Sequence, residues 1–172
     1  MNDNIKISAV FPVSAKRLYD AWLNSDEHSE FTGSKTIIRP IVGSKFYAGG
    51  DYITGSNITL QPYGRIVQTW RTKDFPAGAV ESRLEILFEK ANGGARVTII
   101  HTRIPTGQAK IYEKGWKKLY FKPMKQYFKK HKWIFLSFFR AQFNLNSTGM
   151  LRRQSNSLNS FPATTNIILR KY

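Results

Sequence analysis

The sequence predicts an α+β domain: an antiparallel sheet, two short helices near its beginning and one long amphipathic helix after it. Three observations predict it. Apolar residues alternate at period two through short stretches between residues 35 and 104, each bounded by Gly, Pro, Asn or Asp. Helical spacing replaces that alternation only at residues 13–32 and again beyond Tyr112. The 172 residues, 41% hydrophobic and 14% aromatic, suffice for one domain with its own core and argue against a disordered chain.

The elements follow in order. Ile5, Ile7, Ala9 and Phe11 alternate as a strand that Pro12 ends. Ser14 is placed to cap a helix over "VSAKRLYDAWL", with Val13 and Leu18 spaced as a hydrophobic staple and Leu18, Ala21 and Trp22 on one face. Ser25 is the expected cap of a second helix, "DEHSEFT"; Asp26 and Glu27 suit its positive end and Gly33 stops it. "KTIIR" reads as a strand up to Pro40, and "GSKFYAG" as the next. "DYITGSNITLQ" alternates Tyr52, Thr54, Ser56, Ile58 and Leu60. "PYG" then turns into "RIVQTWRT", and the loop "KDFPAGA" follows. "ESRLEILFEK" sets Leu84, Ile86 and Phe88 against Arg83, Glu85 and Glu89. "ANGG" signals a hairpin turn, and "ARVTIIHTRIP" carries Val97, Ile99 and His101 on one side with Ile100 on the other.

The stretch "GWKKLYFKPMKQYFKKHK", Gly115–Lys132, interleaves aromatics and lysines. Stacking on nucleic-acid bases would want both on one surface. Projected on a helix, Trp116, Leu119, Tyr120, Met124 and Tyr127 share an arc with Tyr112, while Lys114, Lys117, Lys118, Lys122, Lys125 and Lys129 take the opposite one. Phe121 and Lys130 break the pattern. The segregation predicts a helix that packs its rings on the sheet, and it disfavours nucleic acid as a partner. Pro123 predicts a kink, because it removes one backbone bond and crowds the Leu119 carbonyl.

The net charge of +16 is graded along the chain: residues 1–130 hold 21 basic and all 11 acidic residues, and residues 131–172 hold six basic residues and no acid. The absence of cysteine excludes disulfides, thiol nucleophiles and thiolate metal sites. No signal peptide is legible at the start, and no stretch nears the roughly 20 apolar residues of a membrane span; "WIFLSFF" at Trp133–Phe139 is too short. The expected location is cytoplasmic. Beyond about residue 131 Ser and Asn abound and amphipathic periodicity fails. The expected organisation is a domain over 1–130 and a loosely ordered basic extension over 131–172, either solvated or translated sequence never selected as protein.

"LYDAWLNSDEHSEFTG", "DYITGSNITLQPYGRIVQTWRTKDFPAGAVESRLEILFE", "TIIHTRIP" and "YEKGWKKLYFKPMKQYF" together resemble the activator of the ninety-kilodalton heat-shock chaperone ATPase, in its C-terminal-domain family of the START-like (SRPBCC) superfamily. The resemblance runs from about Ile5 to about Phe128. It implies the helix-grip fold, in which a curved antiparallel sheet wraps a long last helix and leaves a cavity between them. The eukaryotic co-chaperone carries a large further domain ahead of this one; with a first strand at residue 5, that domain is expected to be absent here. Family membership implies fold more firmly than function.

Candidate sites follow from both readings. Trp22, Phe46, Tyr52, Trp70, Trp116 and Tyr120 are candidates to line an apolar pocket, with Tyr52, His101 and Tyr120 supplying its polar groups; the alternative is that the rings fill the core. His101, on an apolar strand, is either a ligand or base or a hydrogen-bonded core residue. His28, on an exposed-looking helix, and His131 lack the partner spacing of a metal site, so no metal and no cofactor are expected. Arg71 and Arg83 suit a salt bridge across neighbouring strands better than an anion site. Lys114, Lys118, Lys122 and Lys125 face either water or an acidic partner such as the heat-shock chaperone. The preferred function is a non-enzymatic, stress-related binding protein for a small apolar or amphipathic ligand. The alternatives are a co-chaperone-like domain that stimulates the heat-shock ATPase, and a cavity-based cyclase or hydrolase. A monomer or weak dimer is expected.

Overall fold

Six strands form one antiparallel sheet in the order β1-β6-β5-β4-β3-β2 in the computed structural model, which describes residues 2–131. The strands are β1 (Asp3–Phe11), β2 (Lys45–Ala48), β3 (Ile53–Gln61), β4 (Arg65–Thr72), β5 (Ser82–Ala91) and β6 (Gly94–Ile104). Strands β2 to β6 meander, and β1 closes the order by pairing with β6, Ile5 opposite His101 and Ile7 opposite Ile99. The alternation read in the sequence sets the faces. Leu84, Ile86 and Phe88 of β5 and Val97, Ile99 and His101 of β6 are all buried; of the residues that alternate with them, Glu85, Glu89 and Ile100 are partly or fully exposed, and Thr98 is buried as well. Gly94 ends the "ANGG" turn at φ 149°; a Cβ there would stand 2.0 Å from the Phe11 carbonyl oxygen, so glycine is what lets β1 reach the hairpin.

Two helices follow β1. Ser14 accepts a hydrogen bond from the Arg17 backbone N–H at 3.2 Å and caps α1 (Ala15–Leu23), whose Leu18, Ala21 and Trp22 are buried as their spacing requires. The cap of α2 (Ser25–Thr32) is Asn24, not Ser25: Asn24 Oδ1 accepts from the N–H groups of Asp26 and Glu27, both at 3.0 Å. The Ser25 hydroxyl instead binds the backbone N–H and carbonyl of Ile38, each at 3.0 Å. That bond helps explain a second correction. Residues 35–39 form no strand; a single bridge joins Ile37 to Tyr47, because Ile38 is held by α2 instead of by a neighbouring strand.

The long helix begins as α3 (Ala109–Gly115). Asp3 receives the N–H groups of Gly107 and Ala109 at 2.8 and 3.2 Å, so a carboxylate of the first strand sits at its positive end. A π-helical turn, Trp116–Phe121, follows, and residues 122–131 continue as α-helix. The distortion expected at Pro123 takes this form. Widening to an i→i−5 bond, seen where the Lys122 N–H reaches the Lys117 carbonyl, draws the backbone away from the Pro123 ring. It also shifts the phase of the aromatic stripe. Leu119, expected inside, is 56% exposed, and Phe121, which broke the regular pattern, is buried against Phe11 with ring centroids 5.9 Å apart. Trp116, Tyr120, Met124 and Tyr127 are buried as expected, and the lysine arc from Lys114 to Lys129 is exposed. No helix among the described residues is long and apolar enough to cross a membrane. The expectations for the 131–172 extension, Trp133–Phe139 included, lie outside the described residues apart from His131, which is helical.

Candidate functional site

The space between the sheet's inner face and the long helix is occupied by rings. Trp70 of β4 lies 4.6 Å from His101, 5.0 Å from Tyr112 and 5.9 Å from Trp116, centroid to centroid. Trp116 continues to Tyr120 at 4.6 Å and to Trp22 of α1 at 6.4 Å. Such contacts stabilise beyond simple burial, by about 0.5–1.5 kcal/mol per pair. Among the described residues a cleft of about 130 Å³ opens beside these rings.

Four of the seven expected ligand-lining residues meet there: Tyr52, Trp70, Trp116 and Tyr120. Three do not. Trp22 is packed among His28, Phe31 and Tyr120. Phe46 fills the space that Gly55 leaves free, its ring 2.6 Å from where a Cβ on that glycine would stand. His101 lies fully buried beneath the cleft's tryptophans. The cleft also takes in Ile53, Ile111, Tyr112, Gly115 and Leu119, which sequence reasoning did not single out. Tyr112, one helical turn before Trp116 on the same stripe, was a legible candidate; Leu119 reaches the rim only through the π turn.

His101 has a hydrogen-bond chain that fixes its proton. The Trp116 indole N–H donates to Nδ1 at 3.3 Å, so a neutral imidazole carries its hydrogen on Nε2. Nε2 then donates to the Ser82 hydroxyl at 2.7 Å, and that hydroxyl donates to the Trp70 carbonyl at 2.7 Å. Every donor and acceptor of the ring is used, and burial lowers its pKa to about 3. His101 is therefore the hydrogen-bonded core residue of the two readings: it offers no free nitrogen to a ligand or a substrate. His28, expected on an exposed helix, is buried as well. The helix is short and wedged beneath α1, its Nδ1–H donating to the Trp22 carbonyl at 2.8 Å. Nε2 of His28 has no hydrogen-bond partner among the described residues, and burial lowers the pKa to about 4. His131 stands 3.6 Å from Glu30.

The cleft's polar atoms are also engaged. The Tyr112 hydroxyl donates to Gln108 at 2.9 Å and accepts from Thr72 at 2.8 Å; Gln108 in turn donates to the Asp74 carbonyl at 3.0 Å. The Tyr52 hydroxyl donates to the Asp74 carboxylate, and burial followed by that bond pushes its pKa up to about 12. Burial raises the pKa of Tyr120 as well. Arg83 pairs with Glu85 of its own strand at 2.6 Å, and Arg65 of β4 completes the bridge across strands at 2.5 Å. Arg71 makes no such bridge among the described residues: its guanidinium donates to the carbonyls of Ala79 and Pro76 and holds the β4–β5 loop. The aromatic and cationic faces of the helix point apart, as the projection predicted.

A curved antiparallel sheet gripping a long helix defines the START-like fold. The chain belongs to the family described as Activator of Hsp90 ATPase homolog 1-like protein, whose model matches residues 12–129. It is 35% identical over 115 residues to the "Activator of 90 kDa heat shock protein ATPase homolog" of Dictyostelium discoideum; the match covers 66% of this chain and 30% of that protein, so the chain spans less than a third of its relative's length. The fold is similar to that of an HSP90 activator of Plasmodium falciparum (TM-score 0.65, 18% identity, 71% of this chain and 93% of that one). It is also similar to the Aha1 dimer of Colwellia psychrerythraea (TM-score 0.55, 15% identity, 67% and 87%).

Proposed function

We propose that this chain is a non-enzymatic, cytoplasmic binding domain that docks on a protein partner, the 90 kDa heat-shock chaperone, and stimulates its ATPase. The observation that carries this reading is the filled interior. Pockets that enclose small ligands commonly measure about 300–1,000 Å³, and the cleft here is about 130 Å³. The recognition surface is then the exterior, where exposed Lys114, Lys118, Lys122 and Lys125 form one cationic face of the long helix. The names of the Dictyostelium and Plasmodium relatives support the choice of partner. Adding the protein to its cognate chaperone should accelerate ATP hydrolysis, most at low ionic strength, since a lysine face is screened by salt. No stimulation at low salt would remove this reading.

The second reading, a carrier for a small apolar or amphipathic molecule, rests on the cleft at Tyr52, Trp70, Trp116 and Tyr120. Its volume restricts it to something the size of a single aromatic ring, by comparison with an apolar cavity of about 150 Å³ that accepts benzene. A thermal-shift screen with small aromatics and long-chain lipids separates the two: stabilisation by a ring-sized aromatic would favour the carrier, and no shift with either would favour docking. The rival cyclase or hydrolase reading has no support from His101, whose nitrogens are both engaged.

A further inference from the structure

The cleft beside the long helix combines features that neither a filled core nor a ligand cavity needs. Its floor is aromatic, from Trp70, Trp116 and Tyr120. Its rim exposes two large aliphatic side chains, Ile111 at 66% and Leu119 at 56%. The π turn places Leu119 there, where a regular helix would have turned it inward with the rest of the stripe. Between them the helix carries Gly115, in ordinary helical geometry (φ −60°), with nothing among the described residues within 4 Å of the position of a Cβ. Glycine in a helix interior costs about 0.5–1 kcal/mol against alanine. No steric demand accounts for it here; it leaves the aromatic floor uncovered.

The surroundings are cationic. Lys110, Lys114 and Lys118 precede Ile111, Gly115 and Leu119 in sequence, are exposed, and make no ion pair among the described residues. Glu113 is committed to Lys117. Of the carboxylates nearest the mouth, Asp51 pairs with Lys73 and Asp74 receives the Tyr52 hydroxyl.

We infer that this cleft is a socket for one apolar side chain, leucine or phenylalanine in size, presented by an acidic segment of the partner protein. Size selects the occupant: an apolar space of this order accepts one benzene-sized group, and the socket measures about 130 Å³. Charge selects its context, because unpaired lysines beside an apolar hole discriminate in favour of acidic flanks and speed their approach. An aromatic-floored hole with an aliphatic rim is also the form in which interfaces concentrate their affinity. The inference rests on the proposal that the domain docks on a protein, and it names where the contact is made.

The test uses the full chain in two arms. In the first, binding to the 90 kDa chaperone of the same organism is measured for the wild type, Gly115→Leu, and Lys114→Glu with Lys118→Glu. Gly115→Leu suits the helical backbone and covers the floor, so it should fold at least as stably as the wild type yet bind about tenfold or more weakly, the loss expected of a central anchor. The charge reversal should weaken binding chiefly at low salt. Wild-type affinity in Gly115→Leu would overturn the socket while leaving chaperone docking intact. In the second arm, acidic synthetic peptides with one central Leu, Phe or Gly are titrated while the Trp116 indole N–H resonance is followed. The Leu and Phe peptides should bind about tenfold or more tightly than the Gly peptide, and only with Gly115 in place. Equal binding of all three, or tighter binding of free indole than of any peptide, would overturn the inference even if the chaperone binds nowhere. A dimer in sedimentation that Gly115→Leu dissolves would assign the socket to a second copy of the chain, and would equally overturn it.

Discussion

Two buried histidines separate what burial does from what hydrogen bonding does. His101 in the sheet and His28 in α2 are 0% and 3% exposed, and both are ringed by aromatics. Burial lowers the pKa of each, to about 3 and about 4. Their polar accounts differ. The His101 ring joins long helix, β6, β5 and β4 through Trp116, Ser82 and the Trp70 carbonyl, with both nitrogens satisfied. His28 satisfies one nitrogen and leaves the other facing rings. A depressed pKa therefore marks desolvation in both; the hydrogen bonds decide which of them holds the fold together.

The largest expected effect is shared by the pair. In the unfolded chain both imidazoles titrate near 6.5, whereas the fold keeps them neutral down to about 4 and about 3. Across that interval the unfolded chain binds more protons, so stability present above pH 6.5 is lost as the pH falls. The slope is about 1.4 kcal/mol per histidine per pH unit, a loss of several kcal/mol by pH 4. Denaturant melts between pH 7 and pH 4 measure it. An unchanged midpoint over that range would show that neither imidazole is held neutral.

Next in size is Trp116→Ala. It removes a buried ring that touches Trp22, Trp70 and Tyr120 and deprives His101 Nδ1 of its donor, and should cost about 3–5 kcal/mol. His101→Leu keeps the volume roughly filled but strands the Trp116 N–H, and should cost about 2–3 kcal/mol. It should also halve the acid slope. Chemical denaturation of each variant checks both, and a His101→Leu variant as stable as the wild type would refute the proton-ordered chain.

The sheet side of this comparison was legible in the sequence, and the helix side was not. Val97, Ile99 and His101 stand in phase on a strand bounded by a glycine turn, so the histidine's burial follows from period two alone. His28 sits on an eight-residue helix with a polar composition; its burial depends on α1 above it, which no local pattern encodes. The same limit governs the cleft. Trp70, Trp116 and Tyr120 could be placed by their spacing, but Leu119 changes sides because Pro123, four residues on, widens the turn before it. Asn24 and Ser25 are both good caps, and the choice between them turns on Ile38, thirteen residues beyond Ser25.

The smallest expected effect is the sharpest test of the comparison. His28→Leu loses one hydrogen bond, Nδ1–H to the Trp22 carbonyl, a net contribution of about 1 kcal/mol. It also removes a buried nitrogen that has no partner among the described residues, whose desolvation weighs about 1–3 kcal/mol against the fold. Leucine restores apolar contact with Trp22, Phe31 and Tyr120, whose rings lie 4.7–5.6 Å from the imidazole. The terms oppose each other, so the variant should fall within about 1 kcal/mol of the wild type at pH 7 and gain on it as the pH drops. If His28→Leu proves as damaging as His101→Leu, Nε2 has a partner in solution, and the contrast between the two histidines collapses into one of position alone.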